Sequence, residues 1–266
     1  LEKNTAGLRA DKKGHVFRVI SLGRKSRWSA KGKPGQRVYA VGDIHGCLTE
    51  TKTLLQKIKT DNDYRDAAET FVIFLGDLVD RGPDSRGVIE HLMDFPYSFA
   101  KPLYIMGNHE EMMVRSLMGE PNLLPEWLKY GGYACAESYG VPRAQLLDQE
   151  PNIIEYMLRS AIPRKHVDFL GEFLDYVHFG DFLFTHAGIR PGVPLEKQNA
   201  RDLKWIRDPF LQYSGDLGVT VVHGHTISDE VEYRSNRIGV DTGAYKTGVL
   251  SALCVDGSDV TVLNTA

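Results

Sequence analysis

Cysteine is scarce in this chain. Three of its 266 residues are cysteine (Cys47, Cys135 and Cys254), widely spaced and without a Cys-x-x-Cys pair. That set excludes a disulfide framework and a zinc–cysteine site, and it fits a reducing, cytoplasmic compartment. Cys47 is read as a small packing residue. Long apolar runs are missing as well. No stretch approaches the ~20 residues of a membrane-spanning helix, so no transmembrane segment is expected. His15–Leu22 is short and interrupted by Arg18, so no signal peptide is expected there. Internal repeats and low-complexity segments are absent.

What is present is ordinary in bulk and uneven in charge. Hydrophobic residues make up 42% and charged residues 25%, as in a soluble globular protein whose core needs no staples. Residues 1–37 hold eleven Lys/Arg against two acids. This gives about +9 there and about −12 for the rest of a chain whose net charge is −3. The expected organisation is a basic N-terminal arm over residues 1–36 and a catalytic domain over residues 37–266, divided at the linker-like Lys31–Gln36. The arm is expected to drape over the acidic body, or to meet acidic surfaces elsewhere. It lacks the interleaved aromatics of a single-strand nucleic-acid binder, so no nucleic-acid partner is expected.

Three short stretches carry most of the information: Gly42-Asp43-Ile44-His45-Gly46, Gly76-Asp77-Leu78-Val79-Asp80-Arg81-Gly82 and Gly107-Asn108-His109-Glu110. Each follows an apolar run of strand length (Arg37–Val41, Thr70–Leu75, Leu103–Met106), and each precedes a helical pattern. Leu48, Leu54, Leu55 and Ile58 give the first helix its face. Pro83-Asp84-Ser85 reads as the start of the second, with Val88, Ile89, Leu92 and Met93 buried. His109–Met118 reads as the third. Such alternation predicts an α/β fold with a mainly parallel sheet and ligands beyond the carboxyl ends of its strands.

Residues 119–180 are less regular and are read as a cap or insert beside the site, helical over 152–179. Asp181–Thr185 and Gly218–Val222 lead into His186-Ala187-Gly188 and His223-Gly224-His225-Thr226. Arg237–Asp241, Leu250–Asp256 and Val260–Asn264 read as a closing antiparallel meander.

The ligand types define the chemistry. Carboxylate, carboxamide oxygen and imidazole together suit Mn, Fe or Zn. Asp43 and His45, two apart on an extended strand end, point to one side and can share an ion. Asp77 has two oxygens and can bridge two ions. Asn108, His186 and His225 complete the second. Two such ions ~3.5–4 Å apart hold a hydroxide and polarise phosphate oxygens, which points to phosphate-ester hydrolysis. Each segment alone could be a turn, but five in order after strands are not five independent turns.

These five segments resemble those of the phosphoprotein phosphatase family of serine/threonine phosphatases, within the calcineurin-like metallophosphoesterases. The similarity runs from about residue 37 to 264. It is strongest to short bacterial and bacteriophage-type members, which share segments like Trp127–Gly132, Trp205-Ile206-Arg207 and Asp241-Thr242-Gly243-Ala244. The resemblance implies a two-sheet β-sandwich flanked by helices, with a dimetal site at one end. It implies Asp43, His45 and bridging Asp77 as first-metal ligands, and Asp77, Asn108, His186 and His225 as second-metal ligands. Manganese is the expected metal, with iron or zinc as alternatives. His109 matches the general acid and Asp80 the carboxylate that orients it. Arg81, Arg207 and Asn108 match the phosphate-binding positions. The implied reaction is hydrolysis of phosphoserine and phosphothreonine in a phosphoprotein or phosphopeptide, by direct attack of a hydroxide bridging the two metals.

The alternatives are a diadenosine tetraphosphate hydrolase or a broad-specificity phosphoesterase of the same superfamily. Members of the dinucleotide type usually lack the Asp of Val-Asp-Arg-Gly and read Asp after Asn-His. Asp80 and Glu110 therefore favour the protein phosphatase. A silent binding module is disfavoured because every expected ligand is present. His223 is placed beside the ligands rather than among them, and Asp241 is read either as a support for them or as structural. Glu110 is read as a helix-start carboxylate, and Trp127 and Tyr130 as core residues. His15, His91, His166 and His178 are read as structural or surface residues.

Overall fold

The computed structural model describes residues 5–10, 16–21 and 30–266. His15 and most of the basic segment lie outside the described residues. The strands are β1 (Thr5–Ala10), β2 (Val16–Ser21), β3 (Gln36–Val41), β4 (Glu69–Phe74), β5 (Lys101–Tyr104), β6 (Tyr176–Phe179), β7 (Phe182–Thr185), β8 (Thr220–His223), β9 (Glu232–Tyr233), β10 (Arg237–Gly239), β11 (Ser251–Asp256) and β12 (Asp259–Asn264). They form two sheets, with orders β1-β2-β12-β11-β3-β4-β5 and β6-β7-β8-β10-β9. Strands β3, β4 and β5 run parallel, and so do β7, β8 and β10. The remaining pairs are antiparallel.

The period-two alternation of β3 shows how the layers form. Val38 and Ala40 face the space between the sheets, with Phe182, Phe184, Val222, Ile238 and Leu253. Tyr39 and Val41 face the other way, onto helices. Those helices include α1 (Leu48–Tyr64), α2 (Ser85–Asp94) and α3 (Asn108–Leu117). Leu54, Leu55 and Ile58 of α1 are fully buried there, as their spacing predicts. Asp84 caps α2 by accepting the Gly87 N–H at 2.8 Å.

The region 119–180 is largely helical: α4 (Leu123–Trp127), a kinked turn (Leu128–Gly132) with Gly131 out of helical geometry, α5 (Tyr133–Ser138), α6 (Arg143–Leu146), α7 (Pro151–Ala161) and α8 (Arg164–Gly171). The expected helix over 152–179 ends early, and Tyr176–Phe179 is strand β6. Short helices α9 (Ala200–Trp205) and α10 (Asp208–Leu211) cover the outer face of the second sheet, where Leu203, Ile206 and Phe210 meet Leu183 and Val221. Helix α11 (Ala244–Thr247) follows β10.

The closing meander needs correction. Only β11 and β12 form the antiparallel pair; Arg237–Gly239 joins the other sheet, parallel to β8. A run of three apolar-flanked residues fixes which face is buried, but not which sheet receives it. Among the described residues, no helix is long and apolar enough to cross a membrane.

Candidate dimetal centre

The sandwich brings the ligand-rich segments to one rim. Gly42 follows β3, Gly76 lies two residues past β4, and Gly107 three past β5. His186 directly follows β7, and His225 lies two residues past β8. The backbone is strained along this rim. His45, Asp77, Asp80, Arg81 and His225 all have positive φ, between +46° and +72°. Non-glycine residues hold such conformations only where their surroundings over-determine them. Gly76, at φ +97°, turns the chain where a Cβ would come within 2.7 Å of Gly107 N.

Two ligand groups share one residue. His45, Asp77 and His109 offer ligand atoms within 4.8 Å of one another, as do Asp77, His186 and His225. His186 Nε2 lies 3.4 Å from Asp77 Oδ1, 3.0 Å from Asn108 Oδ1 and 3.1 Å from His225 Nδ1. His45 Nε2 lies 3.6 Å from Asp77 Oδ2. The backbone sets the tautomers. His45 Nδ1–H donates to Val79 O and His186 Nδ1–H to Leu75 O, both at 2.8 Å. Their Nε2 atoms therefore face inward. His225 Nε2 is buried without a hydrogen-bond partner.

Burial, then Asp77, His109 and Arg81, set the His45 pKa at about 3. Burial and the neighbouring His186 lower that of His225 to about 2. Both rings are thus neutral donors at physiological pH. This convergence of lone pairs fits two first-row divalent ions, with Asp77 shared.

The other expected residues are close by. The Asp43 carboxylate accepts the His225 backbone N–H at 3.0 and 3.1 Å. Burial, then the charges of Asp241 and Asp77, raise its pKa well above the usual carboxylate range. Asp241 is buried beside it and accepts the Gly243 N–H at 2.8 Å. His109 Nδ1–H donates to Asp80 Oδ2 at 2.7 Å. Burial opposes the charged form of His109, but Asp77's charge and the Asp80 hydrogen bond outweigh it and raise the pKa. Arg81 Nη1 donates to His45 Nε2 at 2.9 Å, and its guanidinium lies 5.2 Å from the Tyr245 ring centre. Arg207, exposed on the rim, donates to Thr226 Oγ1 at 3.0 Å and His225 O at 3.3 Å. His223 is buried against Phe210, its Nδ1–H donating to Gly224 O at 3.0 Å. It belongs to neither ligand group.

Two roles were not foreseen. The buried Glu110 carboxylate accepts four backbone N–H groups: Leu78 at 2.7 Å, Asp77 at 2.8 Å, Gly107 at 3.1 Å and Val79 at 3.2 Å. It clamps the second motif rather than merely meeting a helix dipole. Burial and the Asp77 charge push its carboxyl up to about 7, while N–H donors pull toward the anion. Four donors on two oxygens leave no acceptor for a carboxyl proton, so the anion fits this geometry. Trp127 Nε1–H reaches both Asp80 oxygens, at 3.0 and 3.1 Å. A glutamate at the third position of a helix that opens on a ligand was the only signal for the clamp. The Trp127-to-Gly131 spacing was the only one for the tryptophan.

Comparison with known proteins agrees with this geometry. A family model described as calcineurin-like phosphoesterase matches residues 36–249. A bis(5'-nucleosyl)-tetraphosphatase PrpE (asymmetrical) of Anoxybacillus flavithermus is 27% identical over 233 residues, spanning 80% of this chain and 88% of that protein. The Bacillus thuringiensis protein of that name is 28% identical over 239 residues, with 80% and 88% covered. The crystal structure of a putative diadenosine tetraphosphatase superposes with a TM-score of 0.59 at 21% identity, covering 88% of this chain and 98% of that one.

Proposed function

The chain belongs to the calcineurin-like phosphoesterase family, and from that premise we propose that it is a metal-dependent hydrolase of dinucleoside tetraphosphates. The observation that carries the substrate class is the likeness, over four-fifths of the chain, to proteins named for that activity. This reverses the order expected from Asp80 and Glu110. Glu110 turns inward onto the second motif's N–H groups, so its identity says nothing about substrate.

The residues suit cleavage of a phosphoanhydride. Asp43, His45 and Asp77 would hold one ion, and Asp77, Asn108, His186 and His225 the other, with manganese the expected metal. The pair would supply an activated water and polarise the phosphate oxygens. Arg81 and Arg207 would present guanidinium forks to the oxygens of the phosphate chain, and Asn108 would also contact them. Asp80 holds His109 Nδ1, so Nε2 is the atom that gives a proton to the leaving oxygen.

Chromatography of diadenosine tetraphosphate after incubation with manganese-loaded enzyme tests this reading. Unequal splitting into mono- and triphosphate is expected. An intact substrate overturns it, and two equal diphosphates overturn the asymmetric cleavage.

One observation favours a second reading, a phosphoprotein phosphatase for phosphoserine and phosphothreonine. The Asp80–His109 pair at 2.7 Å is built to deliver a proton. A serine alkoxide, the more basic leaving group, depends on that proton more than a phosphate does.

A further inference from the structure

The strained half of the second motif has a brace. Asp80 and Arg81 sit at φ +72° and +64°, conformations that non-glycine residues keep only where their surroundings fix them. Ser85 Oγ accepts the Asp80 N–H at 2.9 Å, and the turn 127–132 adds further contacts. Trp127, fully buried, spans both oxygens of Asp80 with its indole N–H. Gly131 O accepts the Arg81 backbone N–H at 3.2 Å. Gly131 itself has φ +131°, and a Cβ there would lie 2.8 Å from Arg81 Cγ and 3.2 Å from Asp80 Cβ. A Cβ on Gly132 would come within 2.8 Å of the Trp127 ring. A kink between α4 and α5, with Gly131 outside helical geometry, provides this arrangement.

We propose that Trp127 is a positioning residue for the proton donor: its indole fixes the Asp80 carboxylate so that His109 Nε2 faces the leaving group. This rests on the reading of His109 as that donor. Without the N–H, Asp80 keeps its charge but loses the donor that sets the rotation of its carboxylate plane. His109 would then sample orientations with Nε2 turned away.

The test is a double-mutant cycle with two phosphate esters, one with an alkyl and one with a nitrophenyl leaving group. Trp127→Phe is expected to lower kcat for the alkyl ester about tenfold, with KM within about twofold. The nitrophenyl ester, whose leaving group departs unprotonated, is expected to lose little. In an Asp80→Asn background, Trp127→Phe is expected to cost nothing further. Equal losses for both esters, or in both backgrounds, would make the tryptophan merely structural and overturn the proposal.

A second measurement needs no activity. Among the indole N–H resonances of Trp28, Trp127 and Trp205, the one lost in Trp127→Phe should shift in Asp80→Asn. An unmoved resonance overturns the hydrogen bond itself. Failure of the wild type on both esters and on diadenosine tetraphosphate, with that resonance shifting, overturns the proposed function while leaving the hydrogen bond in place.

Discussion

Replacing Glu110 with Gln changes one atom in a fully buried side chain, and two accounts of that residue give different costs. As a carboxylate that merely favours a helix N-terminus, it is worth ~0.3–1 kcal/mol. As the clamp described above, it is worth more. Oε2 accepts Asp77 and Gly107 N–H, and Oε1 accepts Leu78 and Val79 N–H. A glutamine keeps one of these oxygens, whichever way its amide turns. The other position becomes an NH2 facing two N–H donors. Two buried donors left unpaired, at ~1–3 kcal/mol each, give ~2–6 kcal/mol. That is a large share of the ~5–15 kcal/mol that holds a domain together. Urea unfolding of metal-free wild type and Glu110→Gln at neutral pH measures the difference, and metal analysis shows whether Asp77 keeps its place. A loss of at least ~2 kcal/mol with weakened metal binding is expected. A loss under ~1 kcal/mol, with metal content unchanged, would refute the clamp.

Further expectations concern the histidines and the shared aspartate. His109→Asn should retain the metals and lower turnover of an alkyl phosphate by ~10²–10⁴-fold. Collapse of metal content would show instead that His109 is a ligand, as its place beside His45 and Asp77 allows. Asp77→Asn should weaken both ions together in elemental analysis; retention of two per chain would contradict the sharing. Burial, countered by its Gly224 hydrogen bond, lowers His223 from 6.5 to about 4. A depressed pKa contributes stability above pH 6.5 that is lost as pH falls toward 4, about 3 kcal/mol at ~1.4 kcal/mol per unit. His223→Asn should therefore flatten the fall in stability of the metal-free protein between pH 6.5 and 4. An unchanged slope in denaturant titrations would count against it.

The parts of this molecule that the sequence shows are those encoded locally. Strands β3 and β4 announce themselves because both faces are buried, which demands continuous apolar runs. The candidate ligands are legible because polar residues follow the strand ends, behind a glycine in the first three segments. Partners across long separations are not legible. Glu110 finds its acceptor role 31–33 residues back, and Trp127 reaches Asp80 across 47 residues. The spacing from Trp127 to Gly131 marks the segment but not the residue it reaches. The region 119–180 was opaque because its helices are short, broken by glycine at 131–132 and 140, and punctuated by proline. Substrate class is not legible for a chemical reason: one ligand set serves phosphate esters and anhydrides alike, so the ranking leaned on Asp80 and Glu110, and Glu110 is occupied with backbone N–H groups.

Head-to-head turnover bears most directly on the central claim. With manganese supplied to one enzyme preparation, kcat/KM is measured for diadenosine tetraphosphate and for a phosphoserine peptide. The account predicts a clear preference for the dinucleotide, abolished by metal removal. Preference for the peptide, or hydrolysis that persists without metal, would contradict it.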